Sequence, residues 1–112
     1  MTNEEKPKGS KSEKSWVRIP DGTRVRCGAE GQEGSIDGLT EIVRKGSNLN
    51  PDGKTQYRID VGTPERRLAA EADLLILTDR EGLVLMGKTT PEYRRHITEQ
   101  LHRVFNEDRF VT

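Results

Sequence analysis

Residues 27–42 read CGAEGQEGSIDGLTEI, and the role given to their glycines, Gly28, Gly31, Gly34 and Gly38, decides the fold. A glycine-rich loop leading into a helix cradles phosphate. Glycines placed between two β-strands make a turn and a bend instead. A helix here would carry Gly34 and Gly38 in its interior, each at a cost of about 1 kcal/mol. No lysine stands next to the loop to reach a phosphate, and Glu30 and Glu33 would repel an anion. The strand reading follows: Gly28 to Gly34 form a turn, and Ser35 to Val43 form a strand with Ile36, Gly38, Thr40 and Ile42 on one face. Leu39 and Val43 break strict alternation, and Gly38 marks a bulge or sharp bend of the kind a small barrel needs at a corner.

The flanks extend this β pattern. Upstream, Pro20-Asp21-Gly22 is a turn signal, and Thr23-Arg24-Val25-Arg26-Cys27 alternates as a half-buried strand with Val25 inward and Arg24 and Arg26 outward. Downstream, Asn50-Pro51-Asp52-Gly53 is a strong turn sequence. Gln56 to Val61 then alternates, with Tyr57, Ile59 and Val61 on one face and Arg58 and Asp60 on the other. Gly62 to Glu65 is a further turn and Arg66 to Ala69 a short strand. Ala70 to Asp73 reads as a single helical turn before Leu74-Leu75-Ile76-Leu77, a short apolar run expected to be a strand buried on both faces. A second apolar run, Leu83-Val84-Leu85-Met86, is placed to pair with it as an extra hairpin strand. Thr89 with Glu92 fits a capping box and Pro91 suits the first helical turn. Beyond it Tyr93, Ile97, Leu101, Val104 and Phe105 recur at helical spacing as an apolar stripe that needs a partner surface.

The chain has 112 residues, 30% hydrophobic and 34% charged, which fits one small domain with tails. The tail is assigned to residues 1–15: MTNEEKPKGSKSEKS has no apolar residue after Met1 and cannot bury enough surface to offset its ordering entropy. Residues 16–87 are expected to form the barrel with its additional strand, and 88–112 the amphipathic helix and a tail. Nineteen basic and nineteen acidic residues cancel, so bulk charge does not hold this chain on nucleic acid and any such binding needs a local patch. The single cysteine, Cys27, excludes an internal disulfide and a cysteine-built zinc site, and a free thiol suits a reducing cytoplasm. No apolar run approaches the ~20 residues of a membrane span.

Five short strands, a bent second strand and a one-turn helix before the last strand are carried by Gly22-Thr23-Arg24-Val25-Arg26, Gly34-Ser35-Ile36-Asp37-Gly38, Gln56-Tyr57-Arg58-Ile59 and Ala70-Glu71-Ala72-Asp73-Leu74. From Trp16 to Leu77 this pattern resembles an SH3-like barrel of the KOW and Tudor type found in nucleic-acid-associated proteins. Tyr57-Arg58-Ile59, Arg66 to Glu71, Thr78 to Gly82 and His102 to Val111 are similar to segments ahead of the motor in bacterial Swi/Snf-like helicases of superfamily two. That resemblance implies an accessory module. It carries no ATP hydrolysis here, because the chain has no G-x-x-x-x-G-K-[ST] sequence.

The fold class expected is therefore mainly β with a C-terminal α-helix, arranged as a five-stranded SH3-like barrel. The expected function is noncatalytic: a barrel face that contacts DNA or RNA, or positions a helicase-like partner, through Arg24, Arg26, Arg44, Lys45, Lys54, Tyr57 and Arg58. Barrels of the type it resembles track a backbone with basic residues and stack bases on aromatics, which makes Tyr57 and Trp16 the aromatic candidates. The competing expectation is a protein-interaction module using a sheet edge or the stripe Tyr93, Ile97, Leu101, Val104 and Phe105, as a monomer or weak dimer and without nucleic acid. His96 and His102 are six residues apart, off the three- or four-residue spacing of a helical metal pair, and no cofactor or catalytic residue is expected.

Overall fold

The computed structural model describes residues 16–40 and 55–112. The tail expected at residues 1–15, the expected strand residues 41–43 and the expected turn Asn50-Pro51-Asp52-Gly53 lie outside them. Elements follow in the order β1 (Arg24–Cys27), β2 (Gln32–Leu39), β3 (Tyr57–Asp60), β4 (Arg67–Ala69), a 3-10 turn (Glu71–Asp73), β5 (Leu74–Leu77), α1 (Pro91–Val104), a second 3-10 turn (Glu107–Arg109) and β6 (Phe110–Val111). The strands form one curled half-barrel sheet in the order β4-β3-β2-β1-β5-β6. β1 to β4 are successive antiparallel neighbours, β5 returns antiparallel beside β1, and β6 pairs parallel with β5. The chain is thus mainly β with a C-terminal helix, as its patterning predicts.

Alternation places the core. Val25, Cys27, Ile36, Tyr57, Ile59, Ala69, Leu74 and Ile76 point inward and cluster with Ile19, Val84, Ile97, Leu101 and Phe105. The apolar stripe of α1 is therefore filled from within the chain. The N-cap is Thr90, whose Oγ1 accepts from Tyr93 N, with Pro91 in the first turn. The sequence pattern put this cap one residue earlier, at Thr89. Leu75 is only half-buried, so β5 is covered on one face and partly open on the other, rather than buried on both.

Two strand expectations change. Leu83 to Met86 contribute only isolated bridges, Thr78 to Val84 and Thr23 to Met86. The run still pairs with the end of β5 as a short hairpin, Leu85 N donating to Leu77 O and Asp79 N to Leu83 O, both at 2.9 Å. Its other edge meets β1 and the helix: Leu85 O accepts from Arg24 N and Val84 N donates to Thr98 Oγ1, both at 2.8 Å. The sixth strand is instead Phe110–Val111, a segment the sequence reading left in the C-terminal tail. Side chains fasten it. His102 stacks on Phe110 with ring centroids 3.8 Å apart, and Arg109 lies over Phe105 while its Nε donates to Leu74 O at 3.1 Å.

The glycine stretch resolves into separate jobs. Gly28 and Gly31 make the tight turn between β1 and β2, which begins three residues earlier than the patterning suggests and takes Gln32, Glu33 and Gly34 into the strand. Gly34 is buried where β2 meets β3; a Cβ there would stand 2.7 Å from Asp60 O and from Ile59 Cγ2. The register between β2 and β3 shifts between Ile36 and Leu39, so the bulge falls at the predicted Gly38.

Gly34→Ala is expected to lower stability by about 1–3 kcal/mol, because the contact is with backbone and cannot relax by rotating a side chain; a urea melt reads the loss. Tyr57→Phe removes the acceptor of the buried Ile19 N–H, 3.0 Å from the phenol oxygen, and is expected to cost about 1–3 kcal/mol with an unchanged denaturant slope.

Candidate functional site

The residues expected to touch a ligand part company in the structure. Arg44, Lys45 and Lys54 lie outside the described residues. Tyr57 is corrected from a base-stacking platform to a core residue: it is 1% exposed, its hydroxyl accepts from Ile19 N and donates to Glu71 Oε1 at 2.8 Å. Burial first, then the Glu71 carboxylate, pushes that phenol far above its ordinary range. The parity of the strand already implied this, since Tyr57 shares a face with Ile59. Trp16 is tied to the same carboxylate, donating from Nε1 to Glu71 Oε1 at 2.7 Å. Of the five stripe residues, Ile97, Leu101 and Phe105 are buried, Val104 packs against the same core, and Tyr93 stands exposed.

What faces outward is a row of polar side chains across three strands. Arg24 on β1 lies opposite Ser35 on β2, and Ser35 opposite Asp60 on β3. A second row holds Arg26 opposite Glu33. Arg58 projects from β3 opposite Leu68 of β4, its stem passing over Gly38, where a Cβ would be 3.9 Å from Arg58 Cδ.

Most of the arginines on and around this sheet are already engaged. Arg26 meets Glu33 at 3.0 Å, and Arg66 meets Asp37 at 2.5 Å and Asp60 at 3.9 Å. Arg67 reaches from β4 to Glu30 in the β1–β2 turn and donates to Gln32 Oε1 at 2.9 Å. It closes the mouth of the half-barrel beside Gly28, where an added Cβ would come within 2.8 Å of Arg67 Nη2. Arg24 and Arg58 differ. Arg24 donates to the neutral Ser35 hydroxyl at 2.8 Å, and among the described residues neither guanidinium has a carboxylate within ion-pair distance. Beside Arg24 opens a polar cleft of about 310 Å³ lined also by Glu33, Ser35, Asp60, Val61 and Gly62.

Cys27 is fully buried, and burial raises its thiol pKa against the opposing pull of Arg67. Among the described residues, no group of three or more His, Cys, Asp and Glu side chains is placed to hold a metal ion, and no helix is long and apolar enough to cross a membrane. No protein-family model, curated protein or solved structure matches this chain.

The Arg67 hydrogen bond holds the Glu30 carboxyl below its usual range, and the Arg66 hydrogen bond does the same for Asp37. Both folded pKa values are depressed. Their contribution to stability is therefore present above the unfolded values, near about 4, and is lost as pH falls through the folded ones. A carboxyl-carbon NMR titration is expected to find both groups below reference, with Arg67→Ala raising Glu30 alone toward its ordinary value, short of the part held by its own backbone hydrogen bond.

Proposed function

We propose that the chain is a noncatalytic binding module of SH3-like type, accessory to a nucleic-acid-processing assembly, whose outer sheet face rests on the phosphate backbone through Arg24 and Arg58. The SH3-like reading draws support from four consecutive antiparallel strands, a bulged second strand, and a 3-10 turn just before the strand that returns beside β1. The observation that carries the functional reading is the contrast among outer-face arginines: Arg26 and Arg66 are in ion pairs, whereas among the described residues Arg24 hydrogen-bonds the neutral Ser35 hydroxyl and Arg58, though within the electrostatic reach of Asp37, has no carboxylate at ion-pair distance. Two fixed guanidiniums one strand apart suit the positioning contacts that make up much of any nucleic-acid interface. The buried free thiol of Cys27 is in keeping with a reducing, cytoplasmic setting.

A second reading, a protein-docking edge, rests on Leu68, which is 48% exposed on the terminal strand β4. Edge strands accept added strands, but a three-residue edge is a poor template.

Fluorescence anisotropy with labelled single- and double-stranded DNA and RNA decides between them. The expected result is weak binding, with a Kd in the region of 10⁻⁴–10⁻⁶ M, that fades as salt rises. Arg24→Ala and Arg58→Ala should each weaken it and reduce the salt slope by about 1. If none of the four nucleic acids binds at low salt, the nucleic-acid reading is wrong and the β4 edge is the surface to pursue.

A further inference from the structure

On the reading just given, we infer that the cleft beside Arg24 is a subsite for a single unpaired nucleobase that presents an exocyclic amine, with Asp60 as the reading group and Arg24 on the neighbouring phosphate. The row Arg24, Ser35 and Asp60 sets a cation, a hydroxyl and a carboxylate on three adjacent strands. At a strand spacing of about 4.8 Å the two ends of the row are roughly 10 Å apart. That span is comparable to the distance between a nucleotide's phosphate and the far edge of its base.

The two carboxylates of the cleft are unequal. Glu33 is matched by Arg26 at 3.0 Å, so it is in use. Asp60 is hydrogen-bonded through one oxygen: Oδ1 accepts from Gly62 N at 2.9 Å, which fixes the side chain, while Oδ2 makes only a long ion pair with Arg66 at 3.9 Å and keeps hydrogen-bond acceptor capacity. An oriented carboxylate with a spare acceptor oxygen takes a hydrogen bond from an amine N–H and rejects a carbonyl. Cytosine N4 fits it and thymine O4 does not. Gly62 keeps the approach open, since a Cβ there would find nothing within 4 Å. The cleft volume of about 310 Å³ sits at the lower end of the ~300–1,000 Å³ range of ligand clefts and gives room for a base. Such a base must leave its helix, so single strands are the substrate class.

The test compares oligodeoxycytidine with oligodeoxythymidine of equal length at neutral pH and low salt, by anisotropy, for the full chain and two variants. The unmodified chain is expected to bind the cytidine strand at least about fivefold tighter. Asp60→Asn keeps the acceptor for Gly62 N and turns the other position into a donor, so the preference should vanish or pass to thymidine. Arg58→Ala should weaken both strands alike and leave their ratio unchanged. Salt-sensitive binding with equal affinities overturns the base subsite and leaves the backbone reading standing. A preference that survives Asp60→Asn also overturns it, and no binding to either strand removes both proposals.

Discussion

The Glu71 side chain and the Tyr57 hydroxyl form the knot on which the rest of the fold hangs. The phenol sits in the core, donates to Glu71 and accepts from Ile19 N, while Trp16 donates to the same Glu71 oxygen. The backbone carbonyl of Glu71 in turn accepts from Arg109. Four stretches far apart in sequence meet here: the lead-in to β1, the third strand, the turn before β5 and the C-terminal segment. A buried polar group is tolerable only when it is satisfied, and a satisfied network is demanding about geometry. The knot therefore sets where β5 begins and why the chain after the helix comes back to the sheet. It also takes Tyr57 off the list of base platforms by burial and holds Trp16, by its Nε1 hydrogen bond, partly buried against the core. Any ligand surface on the sheet must lie on its other face.

That outer face is organised by pairing. Arg26 and Arg66 each find a carboxylate there, while Arg67, opposite the inward Ile59, pairs with Glu30 at the open end of the half-barrel; Arg26 lies beside Gly31 and the Arg67 guanidinium beside Gly28. A glycine without a Cβ leaves a trough in which the long stem of an arginine can lie flat. The same arrangement at Gly38 seats Arg58, which has no carboxylate partner among the described residues. The glycine-rich stretch thus serves architecture in two ways, by letting β2 approach β3 at Gly34 and by holding guanidiniums in place. Phosphate cradling is no part of either.

Much of the fold was legible because it is local. Strict alternation marks β1 and β3, a glycine inside a strand marks the bulge, and a Thr-Pro start with a stripe at helical spacing marks α1. The misses are nonlocal. Leu83 to Met86 do turn back on the end of β5, but only through short bridges, and their further contacts with Thr98 of the helix and Arg24 of β1 are not announced by the run itself. Phe110–Val111 is two residues long and parallel, held by Arg109 and by the stack with His102, so no periodicity exists to reveal it. For the candidate site, the alternation correctly put Arg24, Arg26 and Arg58 outside. Which of them keeps its charge depends on carboxylates brought alongside by register and turns, and spacing along the chain does not report that. The signal for Tyr57 was present: its phase with Ile59 and Val61 already placed it inside.

A chain with no net charge, and with two sheet-face guanidiniums outside ion-pair distance of a carboxylate among the described residues, has little long-range field with which to gather a polyanion. Few phosphate contacts mean few released counterions, and so a modest affinity in isolation. Such a surface is poorly suited to act as a free-standing nucleic-acid binder and well suited to act beside a stronger one. Tethered to an assembly already on the strand, the same two contacts operate at a local concentration in the millimolar range and add to avidity without any new interaction. In that setting the neutral balance is useful, since it keeps the module from competing for nonspecific sites on its own. Under the proposed function the contribution of such a module is position: the β1–β2–β3 row, backed by the Tyr57 knot, carries its few polar groups on adjacent strands.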